Sequence, residues 1–392
     1  MKRKKVCVIT GSRAEYGLMR KTLSEIERST NLELMLIVTG AHLSKEFGYT
    51  IDEIVKDGFH VDDTVEMLLS SDSTSSIGKS VGLGIIGCVD CLKKMSPDII
   101  FIVGDRYEIL AAATAAMVMN IPIAHASGGE ITEGAIDEQI RHSITKMSHI
   151  HFTTEERNSN IIKQMGEESW RVHNVGGLWV DDLFEMKKKN KNELRKILGI
   201  NLVSPVMIVT YHPETLSLDE TEIKIINLLG ALKEIDAEII FTYPNADASG
   251  RVIISKINEF VKNYPNAKAF KSLGKTLYYS LLYFCDIVIG NSSSGMVETQ
   301  YFKLPVVNIG NRQKGRIITE NIISSSGEKE SNISSIKKGL SFEFRESIKN
   351  MKNPYAKRGA GGKIARVLAD LPSTEKLLRK RFIFNRGNYE KN

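Results

Sequence analysis

Short apolar runs alternate with amphipathic stretches along the first half of the chain. Val6–Thr10 is followed by Gly11, a helical pattern from Ala14 to about Arg28, and the apolar run Leu34–Val38. Ile99–Val103 ends at Gly104-Asp105-Arg106, and an alanine-rich helix is predicted from Ile109 to Met119. Ile121–Ala124 and His149–Phe152 are further short runs. Continuous apolar runs of this length suit strands covered on both faces, and strand–helix alternation predicts an α/β fold with parallel sheets. The pattern fades after Trp179 into the lysine-rich stretch Lys187–Lys196, read as a helix and linker, and then restarts. Val206–Tyr211, Glu238–Tyr243, Asp286–Gly290 and Pro305–Ile309 are the strand candidates of a second α/β unit, and Lys363–Leu371 is a last helical stretch. The division expected is an N-terminal unit over 1–182, a second over 200–362, and a C-terminal helix with a basic tail over 363–392.

A length of 392 residues accommodates two domains of roughly 100–200 residues each. The formal charge of +6 sits at the ends: residues 2–5 carry four basic side chains, residues 373–392 carry six basic and two acidic ones, and the body between is slightly acidic. A nucleic-acid binder spreads basic charge over its folded face, so nucleic acid is not expected as a partner. Four cysteines in this length point to a reducing compartment. No uninterrupted apolar run reaches about 18 residues, and the apolar start is too short for a signal peptide, so a cytoplasmic protein without a membrane partner is expected.

Polar residues gather where the predicted strands end, the place where open α/β sheets bind ligands. These loops hold Gly11-Ser12-Arg13, Gly104-Asp105-Arg106, His125 to Glu130, Tyr211 to Glu214, Tyr243 to Asp247, and Gly290 to Gly295. Ser292-Ser293-Ser294-Gly295 follows an apolar run and opens a helical pattern, where free N–H groups and the helix dipole favour an anion such as phosphate. Gly11-Ser12-Arg13 repeats that arrangement at the first strand. Glu298, one turn beyond Ser294, suits hydroxyl groups such as those of a ribose. Arg312 and Arg316 either pair with phosphate charge or lie on the surface. Asp105, Glu130 and Asp137 all fall at strand ends or the helix start after them; three carboxylates converging on a cleft suit proton transfers at a sugar carbon or oxygen. The plainer reading is two caps and one intrahelical ion pair, because Asp137 and Arg141 are four residues apart. His212 either holds phosphate or acts as an acid, while His125 and His142 are more readily structural. Two motifs are set aside. Gly82-Leu-Gly-Ile-Ile-Gly87 matches a dinucleotide fingerprint by letter, but no strand precedes it, and a glycine-containing helix packed on a neighbour is expected. Cys88 and Cys91 have no second pair, so no metal is expected.

Taken together, these segments resemble the UDP-N-acetylglucosamine 2-epimerase family, most of all its hydrolysing branch, which makes N-acetylmannosamine for sialic acid synthesis. The resemblance rests on Thr10-Gly-Ser-Arg-Ala-Glu-Tyr-Gly17, Val38-Thr-Gly-Ala-His-Leu43, Gly104-Asp-Arg-Tyr-Glu108, Gly128-Gly-Glu130, Asp137 to Met147, His212-Pro-Glu-Thr215, Gly290 to Gly295, Asn308 to Arg316 and Asn353-Pro354-Tyr355. It implies the glycosyltransferase-B architecture, two Rossmann-like domains facing across a cleft. It also implies that His212, Asn245, Ser292, Ser293, Glu298 and Arg312 contact uridine diphosphate, with Arg13 reaching the phosphates from the other domain. Arg106, Arg141, Ser294, Gly295 and Arg316 stand as further substrate-binding candidates. Asp105, Glu130 and Asp137 would be the catalytic carboxylates, with His212 beside them. Ser127 departs from relatives that carry Glu there, which weakens the case for Glu130. The implied chemistry is elimination of the diphosphate to a glycal followed by hydration, with no metal or redox cofactor, in a homodimer or homotetramer. UDP-N-acetylglucosamine is the first substrate expected. The alternative is a UDP- or GDP-linked diacetamido-trideoxy sugar of legionaminic acid synthesis, and a glycosyltransferase of the same architecture is the rival class.

Overall fold

The computed structural model describes residues 3–384. Seven parallel strands form the first sheet: β1 (Lys4–Thr10), β2 (Leu32–Thr39), β3 (Asp63–Val65), β4 (Ile99–Val103), β5 (Ile123–Ala126), β6 (Ile150–Thr153) and β7 (Val172–Asn174). Six parallel strands form the second: β8 (Val206–Thr210), β9 (Glu238–Thr242), β10 (Ala267–Phe270), β11 (Ile287–Gly290), β12 (Val306–Ile309) and β13 (Ile322–Ser325). The strand orders are β3-β2-β1-β4-β5-β6-β7 and β10-β9-β8-β11-β12-β13. Both sheets are therefore doubly wound, with switch points between β1 and β4 and between β8 and β11. Apolar side chains cover each sheet on two faces, which is why the central strands read as unbroken apolar runs. This is the glycosyltransferase-B architecture.

The switch points decide where ligand-binding loops open. Gly11-Ser12-Arg13 and Gly104-Asp105-Arg106 leave the first, and Tyr211-His212 and Gly290–Ser294 leave the second. Gly290 has φ +132°, and a β-carbon there would collide with the Thr210 carbonyl of the neighbouring strand. Only glycine lets β8 and β11 lie this close as the chain turns into the serine loop.

Several sequence expectations are corrected. The predicted run Ile121–Ala124 is displaced, because β5 starts beyond Pro122. His125 therefore lies inside the strand, fully buried, with Nε2 2.7 Å from the Gly104 carbonyl oxygen, and not in a strand-end loop. The strands β3, β7, β10 and β13 have no apolar run long enough to announce them; each has three or four residues, and β3, β7, β10 and β13 lie at sheet edges, where one neighbour suffices. The helix predicted over Lys363–Leu371 runs from Ala360 to Ala369, includes Gly361 and Gly362, and is followed by one short helix, Thr374–Leu378. It packs along the first helix, Arg13–Arg28, and a β-carbon at Gly361 would come 3.2 Å from the Thr22 backbone nitrogen. Ala360, Ile364, Ala365 and Leu368 complete the core of the first unit, so the chain crosses back to it. The tail is not merely solvated: Arg171 donates to the carbonyl oxygens of Leu377 (3.0 Å) and Arg379 (3.2 Å). Residues 385–392 of that basic tail, and Lys2 at the other end, lie outside the described residues.

The Gly82–Gly87 motif does lie in a helix, Thr74–Met95, with Gly84 packed on Ala111 and Met67, and Gly87 on Val65. Cys88 and Cys91 are buried in the same helix, and burial pushes their thiols up, to about 12 and about 11. By length and composition this helix could cross a membrane, which the search for an uninterrupted apolar run did not register. Here one side of it covers the first sheet.

If Ala360–Ala369 belongs to the first core, Leu368→Ala should cost about 2–5 kcal/mol, the range for truncating a buried leucine. The measure is the guanidinium unfolding midpoint, and an unchanged transition would mean the helix is an appendage.

Candidate active site between the two units

The loops of the two switch points meet in a cavity of about 400 Å³. Arg13 reaches it from the first unit; His212, Asn245, the three serines 292–294, Glu298 and Arg312 reach it from the second. Ser292 is the N-cap of the short helix Ser293–Val297, accepting from the Ser294 N–H at 3.4 Å. Glu298 is held rather than solvated: Tyr279 donates to one oxygen at 2.8 Å and the Ser294 hydroxyl bonds the other. Tyr278, Tyr279 and Lys275, on the helix Gly274–Leu282, also line the cavity and were not anticipated. No motif marks that helix, since its residues read as an ordinary amphipathic turn.

His212 is buried, and burial followed by the charge of Arg312 lowers its pKa to about 3. Its Nδ1 accepts from the Asn245 N–H at 3.4 Å, which leaves Nε2 to carry the proton. A neutral imidazole donating through Nε2 fits an anion. The low pKa favours the phosphate-holding reading of His212 over the acid one.

All three carboxylates act on the buried Arg141, but each is paired differently. Asp105 pairs with Arg141; burial pushes its carboxyl up, but Arg141, with Arg316 and Arg312 behind it, holds it below the ordinary value. Asp137 pairs across the cleft with Arg312 at 3.2 Å. Burial and then the charge of Asp105 raise Asp137 to about 6, opposed by Arg312. Glu130 faces elsewhere, 2.7 Å from Arg316, beside a small separate recess with Tyr355 and Glu155. Asp105 and Asp137 thus sense each other directly, while Glu130 is tied to Arg316. Nor do Asp137 and Arg141 form the intrahelical pair their spacing suggests. The two terminal nitrogens of Arg141 donate instead to Asp105, Glu138 (3.0 Å), Thr132 (2.9 Å) and the Glu130 carbonyl oxygen (2.9 Å).

Arg106, Arg141, Arg316 and Gly295 do not line the cavity. Arg106 is buried between Asp247 of the second unit and Glu108, 3.3 Å away. Asp247 was passed over in the loop Tyr243–Asp247, because only tertiary structure reveals an arginine opposite it. Gly295 is buried, its α-carbon packed towards Val306.

A family model described as UDP-N-acetylglucosamine 2-epimerase matches residues 24–369. The chain belongs to that family. A GDP/UDP-N,N′-diacetylbacillosamine 2-epimerase (hydrolyzing) from Campylobacter jejuni is 43% identical over 331 residues, covering 83% of this chain and 85% of the relative. A UDP-N,N′-diacetylbacillosamine 2-epimerase (hydrolyzing) from Legionella pneumophila is 33% identical over 320 residues, covering 82% and 84%. The crystal structure of UDP-GlcNAc 2-epimerase from Neisseria meningitidis superposes with a TM-score of 0.80 over 93% of this chain and 99% of that one, at 18% identity, a likeness of fold.

In this member of the 2-epimerase family, the Gly11–Arg13 loop rests on a buried carboxylate pair. Glu15 Oε2 accepts from the N–H groups of Gly11 (2.7 Å) and Ser12 (3.2 Å), completing a capping box for the first helix. Its Oε1 and Glu108 Oε2 are buried with no hydrogen-bond partner. Burial, then the charge of Glu108, raises Glu15 to about 8, against the Gly11 N–H and Arg106. A carboxyl raised above its unfolded value makes the folded state the better proton binder. Its stabilising contribution is complete below about pH 4 and is lost as pH rises through about 8. Glu15→Gln keeps an acceptor for Gly11 without the charge. Its stability relative to the parent should therefore rise steadily from pH 5 to pH 8, read from denaturant midpoints at each pH. A flat difference would show that Glu15 is ionised in the fold.

Proposed function

We propose that the protein is a hydrolysing 2-epimerase. Its substrate would be N,N′-diacetylbacillosamine linked to a nucleoside diphosphate, and its products the free 2-epimeric sugar and the nucleotide. UDP-N-acetylglucosamine, the first expectation from sequence, gives way to the alternative substrate. The Campylobacter and Legionella relatives are both named for diacetylbacillosamine, at identities of 43% and 33%. The observation that carries the reaction type is the interacting pair Asp105 and Asp137, which do not themselves line the cavity but reach it through Arg312, a lining residue paired with Asp137 at 3.2 Å.

The roles follow from charge. The serine turn, Arg13, Arg312 and the Nε2–H of His212 are donors gathered around one cavity, and a diphosphate is an acceptor at every oxygen. As the C1–O bond breaks, its electron pair leaves with the diphosphate, and these donors meet the growing charge without reorganising. The C2 proton passes to a carboxylate, and the C2–H electrons form the C1–C2 double bond of a glycal. Water then adds its oxygen to C1, and a proton returns to C2 on the opposite face. The two carboxylates suit different parts of this sequence, because their environments push them apart. Asp105, kept ionised by Arg141, is a poor proton acceptor but stabilises positive charge on the sugar ring. Asp137, poised near neutrality, is the proton-exchanging group.

Four results would test this reading. Incubating the protein in deuterated water with UDP-N,N′-diacetylbacillosamine, its GDP analogue and UDP-N-acetylglucosamine should give deuterium at C2 of a free sugar, fastest with a diacetamido substrate. A product without deuterium would favour a glycosyl transfer. Asp105→Asn and Asp137→Asn should each lower turnover about 100-fold or more, the range for lost acid–base catalysis. Neither should weaken UDP binding, and Asp137→Asn, which frees Arg312, should leave it equal or tighter by calorimetry. The parent's kcat/KM should rise with pH through about 6 as Asp137 ionises, and that limb should vanish in Asp137→Asn. On the nucleotide side, Ser292→Ala or Ser293→Ala should cost about 1–3 kcal/mol of UDP affinity.

A further inference from the structure

The helix Gly250–Asn263 of the second unit starts without a cap of its own. Its N-cap residue, Ser249, has φ +62°, and the Ser249 hydroxyl makes no hydrogen bond to the first turn. An ordinary N-cap is extended, which lets its side chain reach the free N–H groups of that turn. Here the acceptors come from the first unit. The Asp72 carboxylate accepts from the Arg251 N–H at 3.2 Å, and the Asp72 carbonyl oxygen accepts from the Ser249 N–H at 3.4 Å. Glu46 takes the Arg251 guanidinium on both oxygens, at 2.8 and 2.9 Å, and the Ser70 carbonyl oxygen accepts another of its N–H groups. The helix that follows Asp72 in the chain, Thr74–Met95, does not need this carboxylate, because Ser73 caps it by accepting from the Ser76 N–H at 3.2 Å.

We propose that Asp72 is a positioning residue for the nucleotide side of the cavity: it caps a helix of the opposite unit and thereby fixes the loop that presents Asn245. The inference rests on the proposed function for the identity of the ligand alone. Residues 243–249 connect the end of β9 to the capped helix. Asn245 in this loop lines the cavity, and its N–H donates to His212 Nδ1 at 3.4 Å. Between Asn245 and the helix the loop is buried against the first unit, where Arg106 donates to Asp247 and the Tyr107 hydroxyl donates to the Ala246 carbonyl oxygen at 3.0 Å. The loop's own bonds are short turns, from the Asp247 N–H to the Asn245 carbonyl oxygen at 2.8 Å and from the Gly250 N–H to the Asp247 carbonyl oxygen at 3.0 Å. A frayed first turn would loosen this end of the loop, and with it the N–H that sets which nitrogen of His212 carries the proton. The Glu46–Arg251 pair is about two-fifths exposed on both side chains, and such pairs contribute little. The carboxylate of Asp72 on a helix N–H is the stronger hold, since it meets a donor that the helix itself leaves free. The second unit therefore finishes its nucleotide loop only against the first.

Hydrogen exchange read by mass spectrometry on the full chain without ligand tests the capping. Asp72→Ala should speed exchange in peptides spanning residues 245–254 about fivefold, the scale of a lost helix cap. Peptides from the helix Thr221–Leu232, remote from Asp72 in the same unit, should keep the parent's rate, which separates a lost cap from a damaged fold. Asp72→Asn keeps an oxygen that accepts from the Arg251 N–H and should restore the parent's protection. Calorimetry with UDP then reads the consequence: Asp72→Ala should bind about fivefold more weakly, and Asp72→Asn like the parent. Unchanged exchange over 245–254 in Asp72→Ala would overturn the proposal, as would an Asp72→Asn variant no better protected than Asp72→Ala. Faster exchange with the parent's UDP affinity would overturn the positioning role and leave Asp72 a structural cap. A parent that does not bind UDP would overturn the nucleotide reading of the cavity instead, and the exchange rates would still decide whether Asp72 holds the loop.

Discussion

Buried charge must be matched, and that requirement organises the cleft. An unpaired guanidinium or carboxylate taken out of water costs several kcal/mol, and two arginines at the interface of the two units have found an opposite charge across it. Arg106 of the first unit finds Asp247 of the second, and Arg312 of the second finds Asp137 of the first. These pairs join the units where the two switch points face each other.

The same constraint divides the acidic groups by role. Asp105 and Asp137 lie close enough to sense each other, but only Asp105 has an arginine from its own unit pressed against it. Arg141 takes up that carboxylate and leaves Asp137 to depend on Arg312, which also lines the nucleotide side of the cavity. A ligand anion near Arg312 would compete for it and raise Asp137 further. On the proposed function, nucleotide occupancy and the protonation of Asp137 would be coupled through one guanidinium.

Close backbone approach is the second constraint, and glycines supply it. Gly290 permits β8 and β11 to turn together into the serine loop, and Gly361 seats the returning C-terminal helix on the first one. That return makes the first unit discontinuous in sequence, since its core includes Ile364 and Leu368. The first helix, which carries Arg13 at its start, is therefore braced from behind by the end of the chain.

Sequence alone determined what depends on neighbouring residues. Central strands announced themselves as apolar runs, because a strand covered on both faces must be apolar throughout. The serine turn and the Gly11 loop were legible because caps and anion-binding turns are local chemistry. The edge strands were hidden, since a strand such as β13, with Ser324 and Ser325 in its four residues, needs only one neighbour. Arg106, Asp137 and Arg312 were found but not the pairs they form: Arg106 and Asp247 stand 141 positions apart, Asp137 and Arg312 175. Spacing on a helix argued for Asp137 with Arg141, and tertiary structure gave Arg141 to Asp105 and sent Glu130 to Arg316. Only the fold could decide this, because an ion pair is selected by distance in space and by burial, and neither quantity is written in the order of the residues.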